Sequence, residues 1–360
     1  MEMESIPLGL TFDDVLLLPQ ESSVRPSEAV LRTRITKRLT LEVPILSAAM
    51  DTLTTAPLAI ALAREGGLGV LHRNCTVEEQ VRMVKEVKRQ KLLVAAAIGP
   101  HDIDRARALD RAGVDVVVLD AAHVHKPAII ADARKMKRIL KADLMIGNIA
   151  TAAAARAFVG VADALKVGVG PGSICTTRIV AGVGVPQLTA IKEVVKVAKL
   201  SKTPVIADGG IRYSGDVVKA LAAGANAVML GSMLAGTDET PGDIVVVDGK
   251  RCKRYRGMGS LGAMETGKSS DRYSQKGAKK FVPEGVEALT PCKGPLKEVV
   301  FHILGGVRAG FGYVGANSIP ELQRRGKFIR ITAAGRTESH PHSIVIEKEA
   351  PNYSSLRYAP

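Results

Sequence analysis

The 360-residue sequence contains no tryptophan, and aromatic residues make up only 3% of it. Because base-stacking side chains are scarce, the net charge of +14 favours anionic small molecules over nucleic acid as partners. No hydrophobic run is long enough to span a membrane. The acidic start, residues 1–5, lacks the basic and apolar regions of a signal peptide. These absences argue against membrane, secreted and nucleic-acid-binding classes of protein.

Cysteine is also scarce, and the four residues lie far apart: Cys75, Cys175, Cys252 and Cys292. Their spacing matches neither a zinc site nor a paired redox motif. The pattern predicts free thiols in a reducing, cytoplasmic compartment. His340 and His342 flank a proline, which gives poor geometry for a transition metal and argues against such a site.

Short apolar segments alternate with amphipathic helical segments through much of the chain. Each apolar segment is almost continuously hydrophobic, which is typical of parallel strands buried on both faces. Eight such segments favour an α/β fold of the closed (β/α)8 (TIM) barrel type over an open doubly wound sheet. The predicted strands are Val43–Ser47, Gly67–Leu71, Leu92–Ile98, Val114–Asp120, Asp143–Asn148, Ala164–Val169, Pro204–Asp208 and Ala227–Leu230.

Helical periodicity is present in Val77–Gln90, Ala190–Ala198 and Ser214–Ala223. The repeat breaks after the eighth strand, where residues from about 237 to 294 are polar, glycine-rich and basic. A long irregular insertion in a compact barrel is either a lid over the site or a flexible surface loop, and composition alone leaves both open. The helix Leu296–Arg308 is predicted to complete the barrel.

Polar and glycine residues follow the predicted strands at their carboxyl ends, where the functional site of such a barrel lies. The polar residues there include Asp120, His123 and Asn148. Asp208-Gly209-Gly210 follows the seventh strand and Gly231-Ser232 follows the eighth. Since bare backbone N–H groups can approach phosphate oxygens, the glycines predict a phosphate site.

The sixth strand runs into a loop, Gly170–Arg178, with the sequence GPGSICTTR. Its glycines and proline permit tight turns, and Cys175 lies between hydroxyl residues and an arginine. A loop cysteine near positive charge can act as a thiolate nucleophile. Considered alone, it can equally be a small buried side chain on a structural turn.

This cysteine loop resembles the active-site loop of the inosine 5′-monophosphate (IMP) dehydrogenase and GMP reductase family. Four other segments match that family in the same order, and the resemblance extends from about Ile6 to Tyr353. They are Leu46–Thr52, Ala207–Ile211, Tyr255–Ser260 and Ser270–Tyr273. The family fold is a (β/α)8 barrel, which agrees with the independent strand count.

The resemblance implies a two-step oxidation of IMP by NAD. Cys175 would attack C2 of the hypoxanthine ring, hydride would pass to NAD, and the covalent adduct would then be hydrolysed. Arg272, with Tyr273 beside it on a mobile flap of about 237–294, would activate the water close to Thr177. An arginine base requires a closed, water-poor site that favours its neutral form.

The resemblance also implies the binding residues. The phosphate would meet Ser173, Gly210, Gly231, Ser232 and Tyr255. Asp208 would accept from the ribose hydroxyls, while Met258, Gly259 and Glu284 would hold the base. The nicotinamide side would be lined by Asp120, Asn148 and Gly168. A potassium ion would be bound by Gly170, Gly172 and Cys175 with Glu338, Ser339 and His340 of a neighbouring subunit, which implies a homotetramer.

The sequence departs from the family pattern in three places. The pair of regulatory CBS modules common in the family is absent at about residues 90–91, so residues 1–360 are expected to form one catalytic barrel domain. Ala121 and Val124 replace a usual threonine and glycine near the expected cofactor site. Residues 288–292 replace a usual Gly-Arg-Val-Pro-Tyr run at the outer end of the flap.

Two alternatives to IMP oxidation stay open. GMP reductase shares the cysteine loop and the fold, but it uses NADPH and releases ammonia. The flap pair Arg272 and Tyr273 favours the dehydrogenase, whose hydrolysis step needs a base. A non-catalytic nucleotide-binding barrel is the other alternative, and the presence of Cys175, Thr177 and Arg272 argues against it.

Overall fold

A closed barrel of eight parallel strands forms the centre of the molecule. The computed structural model describes residues 6–266, 269–275 and 277–353. Each barrel strand pairs with the next one along the chain, and the eighth pairs with the first, where Val228 lies opposite Ile45. The predicted (β/α)8 barrel is therefore confirmed. The strands are β1 (Ile45–Ser47), β2 (Leu68–Leu71), β3 (Ala95–Ile98), β4 (Val116–Asp120), β5 (Asp143–Ile149), β6 (Ala164–Val167), β7 (Val205–Asp208) and β8 (Ala227–Leu230).

All eight predicted strands are present, but most are shorter than the apolar segments that predict them. The segment Leu92–Ile98 contributes only β3, because Val94 lies before the ladder. Its N–H instead donates to the Asp115 carboxylate at 2.9 Å. Leu92, Leu93 and Val94 thus precede the strand, and Val94 is buried while the two leucines are half-buried.

Helices cover the outside of the barrel, and their ends follow ordinary capping chemistry. The second helix begins after Thr76, whose side chain and that of Glu79 form a capping box. The last long helix extends beyond the predicted Arg308 and ends at Gly315 in the left-handed conformation (φ 68°). The helices are α1 (Ala56–Arg64), α2 (Val77–Arg89), α3 (Ile103–Arg111), α4 (Pro127–Ile139), α5 (Ala152–Phe158), α6 (Thr177–Val180), α7 (Gln187–Ala198), α8 (Ser214–Ala222), α9 (Leu261–Glu265), α10 (Leu296–Val314), α11 (Ile319–Arg325) and α12 (Ala333–Glu338).

The flap insertion contains an antiparallel sheet that the sequence did not predict. Its strands are β9 (Ile244–Val247), β10 (Lys250–Arg256) and β11 (Glu287–Pro291). The prediction of an irregular segment is wrong here because β10 is rich in exposed Lys and Arg, which obscure its strand pattern. Flap positions 267, 268 and 276 lie outside the described residues.

Short elements complete the two ends of the chain. Val15–Leu17 pairs antiparallel with Phe328–Arg330, and Thr33–Arg34 pairs with Thr40–Leu41. No helix within the described residues has the length and apolar character needed to cross a membrane. The 3-10 helices are Phe12–Asp14, Pro26–Glu28, Lys199–Ser201 and Ser270–Tyr273.

Candidate active site

A cavity of about 410 Å³ lies over the carboxyl ends of the barrel strands, beneath the flap. This volume falls in the range of roughly 300–1,000 Å³ that is typical of small-molecule sites. The four residues predicted to be catalytic all line it: Cys175, Thr177, Arg272 and Tyr273. The fold therefore brings together a loop cysteine and a flap arginine that are far apart in sequence.

Most of the residues predicted to bind ligands line the same cavity. These are Ser173, Asp208, Gly210, Gly231, Ser232, Tyr255, Met258, Glu284, Asp120, Asn148, Gly168, Gly170 and Gly172. Gly259 is not among the lining residues. It lies beneath the Tyr273 ring, since a β-carbon added there would be 2.6 Å from Tyr273 Cζ. Its role in binding stays a prediction.

The cysteine loop places the candidate nucleophile beside a hydroxyl. Cys175 Sγ lies 3.1 Å from Thr177 Oγ1, and Thr177 is the first residue of α6. The backbone closes tightly, with Cys175 N–H donating to the Gly172 carbonyl at 3.1 Å. The loop is also paired with the end of the flap, because Val286 N–H donates to Ile174 and Thr176 N–H donates to Glu284. Loop and flap thus form one hydrogen-bonded unit.

A buried polar network joins four barrel strands below the cysteine loop. Lys166, 2% exposed on β6, lies 2.6 Å from Asp208 Oδ2 and 3.0 Å from Asp120 Oδ1. The Lys166 ammonium also contacts Asn148 Oδ1. Asn148 Nδ2 in turn donates to the Gly168 carbonyl at 2.7 Å and to Asp208 at 2.9 Å. The sequence analysis predicts no role for Lys166, because it is a single polar residue within an apolar strand.

The flap places Arg272 at the same network. Its guanidinium contacts Asp120, and its carbonyl accepts the Ala122 N–H at 3.2 Å. Burial lowers the pKa of Arg272, and the nearby charge of Arg73 acts in the same direction, whereas contact with Tyr273 opposes the shift. The Asp120 carboxylate favours the charged guanidinium. Burial also raises the pKa of Tyr273, against the influence of Arg272.

The glycines that follow β7 and β8 line the cavity together with Tyr255. Gly210 follows β7 with φ 78°, and Gly231 follows β8. The Tyr255 hydroxyl lies close to Gly231, since a β-carbon there would be 2.6 Å from the oxygen. Burial raises the pKa of Tyr255, which a hydrogen bond with Ser173 partly opposes, so its hydroxyl stays protonated and able to donate.

The C-terminal residues predicted to join a cation site lie elsewhere on the same chain. His340 packs edge-to-face on Tyr213 with ring centroids 5.9 Å apart. Ser339 and His340 line a separate cavity of about 180 Å³ together with Asp13. Glu338 ends α12 and is exposed. Within one chain these three residues are not placed on the cysteine loop, so their predicted role requires a neighbouring subunit.

Comparisons with known proteins agree with the geometry. A family profile described as "IMP dehydrogenase / GMP reductase domain" matches residues 9–342. The chain is 42% identical to inosine-5′-monophosphate dehydrogenase of Aquifex aeolicus over an alignment of 482 positions, gaps included, which covers 97% of this chain and 98% of that protein. It is 44% identical to the enzyme of the same name from Cryptosporidium parvum over an alignment of 400 positions, which covers 98% of this chain and all of that protein.

A third relative is inosine-5′-monophosphate dehydrogenase of Methanocaldococcus jannaschii. It is 42% identical over an alignment of 480 positions, which covers 95% of this chain and 97% of that protein. The chain itself passes from α2 to β3 through residues 90–94, without room for the CBS modules. Profile and relatives both extend across the cavity-lining loops and the flap. The chain therefore belongs to the IMP dehydrogenase / GMP reductase family.

Proposed function

We propose that this protein catalyses the NAD-dependent oxidation of IMP to xanthosine 5′-monophosphate (XMP). The observation that carries the proposal is one cavity lined by both Cys175 and the flap pair Arg272 and Tyr273. A nucleophile and a separate water-activating group are what an oxidation followed by hydrolysis requires. The names of the relatives at 42–44% identity support the same reaction.

In the first step the Cys175 thiolate adds to C2 of the hypoxanthine ring, and the hydrogen at C2 leaves as hydride. NAD, when bound, supplies the acceptor for that hydride. Thr177, 3.1 Å from the sulfur, orients the thiol toward the ring. At the other end of the nucleotide, the glycines after β7 and β8 and the Tyr255 hydroxyl bind phosphate, while Asp208 accepts from the ribose.

The residues proposed for the nicotinamide side fit such a ligand. Asp120, Asn148 and Gly168 line the cavity and offer a carboxylate, a carboxamide and a glycine without a side chain. In this structure the Asp120 carboxylate contacts Arg272 of the flap. Arg272 must therefore withdraw before Asp120 can accept from a ribose or amide of the dinucleotide.

The second step uses the docked flap. Arg272 in its neutral form takes a proton from water, the resulting hydroxide adds to C2, and the carbon–sulfur bond breaks to release XMP and the Cys175 thiolate. Burial favours that neutral form because it lowers the pKa of the guanidinium. The Tyr273 hydroxyl lies beside Arg272 in the same closed site, where it donates or accepts a hydrogen bond.

We further propose a potassium site, a homotetramer and a cytoplasmic location. The carbonyls of Gly170, Gly172 and Cys175 lie on one tight loop, and oxygen-only ligand sets suit hard cations. The Gly172 carbonyl accepts one hydrogen bond and keeps a second lone pair. Glu338, Ser339 and His340 would come from a neighbouring subunit. The assignment of residues 1–360 to one catalytic domain is part of this proposal.

The decisive experiment mixes purified protein with IMP and NAD in potassium buffer and measures NADH, beside a reaction with GMP and NADPH. We expect NADH only from IMP, and none from Cys175→Ser. Consumption of NADPH with GMP would instead show a reductase, the family's other reaction. Nucleotide binding without turnover in either mixture would show a non-catalytic barrel.

A further inference from the structure

An ion pair with a buried arginine joins the flap to the barrel immediately beside Arg272. Arg73 lies two residues after the end of β2, and Asp271 directly precedes Arg272 on the flap. Arg73 Nη2 lies 2.7 Å from Asp271 Oδ1. The Arg73 side chain is only 7% exposed and that of Asp271 is 28% exposed. Arg73 is therefore buried and Asp271 half-buried, unlike the fully exposed partners of surface ion pairs, which contribute little to stability.

The loop after β3 leaves room for this pair at a glycine. A β-carbon added at Gly99 would lie 2.5 Å from Asp271 Oδ2 and 2.9 Å from Arg73 Nη1. Both atoms are side-chain ends, so a methyl group there would push the ion pair aside while the Gly99 backbone stays in place. Gly99 thus offers a substitution that disturbs the ion pair without changing either charge.

The ion pair is one of several contacts that hold the short flap helix Ser270–Tyr273. Lys126 Nζ donates to Ser274 Oγ at 2.7 Å at the end of this helix. Ser269 Oγ donates to the Met258 carbonyl at 2.8 Å at its start. The ion pair differs from these contacts in that its aspartate, Asp271, directly precedes Arg272. The Arg272 guanidinium is the group that enters the cavity. A shift of Asp271 must therefore move the Arg272 backbone.

We propose that Arg73 is a positioning residue for hydrolysis, which holds Asp271 so that the neighbouring Arg272 guanidinium lies at the reacting water. This inference deepens the proposed function and rests on it. Arg73 touches no substrate in this role and acts only through Asp271 and Arg272. Its positive charge also lowers the pKa of Arg272, after burial, which favours the neutral base.

The test separates the two chemical steps by rapid mixing with IMP and NAD. We expect Asp271→Asn and Gly99→Ala to give a full first burst of NADH, with a burst rate within about twofold of wild type. The steady rate should fall by about tenfold to a hundredfold, since misplacing a catalytic group by about 1 Å has effects of that size. Lys280→Met, which removes an exposed flap charge, serves as the matched control and should match wild type.

A second comparison shows whether the pair acts through Arg272. In an Arg272→Ala background, Asp271→Asn should cause no further loss of the steady rate, because the group that it positions is gone. A further tenfold loss there, a burst that falls together with the steady rate, or variants equal to wild type would overturn the positioning role. If wild type made no NADH from IMP, the proposed function would fail first, and this inference would fail with it.

Discussion

The buried ammonium of Lys166 links two carboxylates that are proposed to serve different ligands. Asp208 is assigned to the ribose of IMP and Asp120 to the nicotinamide side, and Lys166 contacts both. A lysine at 2% exposure is stable only because its charge is paired. The same residue therefore maintains the spacing between Asp120 and Asp208, and with it the spacing between the proposed substrate and cofactor sites.

We expect Lys166→Met to lose both stability and activity. It leaves Asp120 and Asp208 without their shared cation, and breaking a buried pair costs about 3–5 kcal/mol. Displacement of the two carboxylates should lower kcat/KM for IMP by about a hundredfold or more. Thermal unfolding and steady-state kinetics measure the two effects.

The matched control is Lys137→Met, which removes a lysine from another buried carboxylate, Asp163, on the outside of the barrel. This variant should lose stability but keep kcat and KM close to wild type. Equal activity losses in the two lysine variants would mean that Lys166 acts only through global stability.

The roles of Lys166 and Arg73 could not be predicted from the sequence for a physical reason. A single lysine in an apolar strand does not reveal its partners, because Asp120, Asn148 and Asp208 come from three other strand ends. The same holds for Arg73 and Asp271, which are almost 200 residues apart along the chain. Cys175 and Arg272 were identified because contiguous family motifs surround them, and not because their meeting in space was predictable.

At the scale of elements, the ends of β6 and β7 approach each other closely above the barrel. Gly168 follows β6 with φ 153°, and a β-carbon there would overlap the Asp208 carbonyl oxygen. Gln187 Nε2 also donates to that carbonyl at 3.0 Å and to Val167 at 2.8 Å. Only glycine permits this approach. The close contact between the ends of β6 and β7 therefore fixes the position at which the cysteine loop leaves the barrel.

We expect Gly168→Ala to separate these two strand ends and to abolish most activity, because Asp208 and the cysteine loop would both move. Gly160→Ala is the control, since Gly160 precedes the same strand with φ 87° and has open space around it. The control should cost only about 1 kcal/mol of backbone strain. Calorimetry and NADH assays compare the two, and equal effects would refute the role of the close approach.

Sequence patterns predicted the barrel elements well and the flap poorly, and the difference is physical. Barrel strands such as β4 and β6 are buried on both faces, so continuous hydrophobicity identifies them. Strand β10 mixes exposed Lys and Arg residues with buried ones such as Lys253, so its hydrophobicity pattern does not match its burial pattern. The family motifs could indicate a flap but could not reveal its antiparallel sheet.

At the scale of the whole molecule, one apolar surface lies close to the proposed active site. It consists of Ile179, Val180 and Val183, which are 88%, 48% and 62% exposed on the segment that follows the cysteine loop. Pro186, just beyond this surface, packs on Gly9 of the N-terminal segment, where Leu8 is 62% exposed. Contiguous exposed apolar side chains on soluble domains are typical of interfaces. This surface supports the proposed homotetramer.

We expect Val183→Asp to break the assembly into smaller species in sedimentation velocity, because a charge buried between subunits is costly. Leu200→Asp is the matched control, since Leu200 is 82% exposed as an isolated apolar side chain after the other end of α7. It should stay tetrameric.

The same variants test the potassium site. If Glu338, Ser339 and His340 reach the cysteine loop from a neighbour, activation by potassium over sodium should disappear in Val183→Asp and persist in Leu200→Asp. Circular dichroism confirms that both variants remain folded. A dissociated Val183→Asp that still responds to potassium would place the cation within one chain, on the loop carbonyls alone. A wild-type chain that sediments as a monomer would refute the tetramer and leave those three C-terminal residues without a role at the active site.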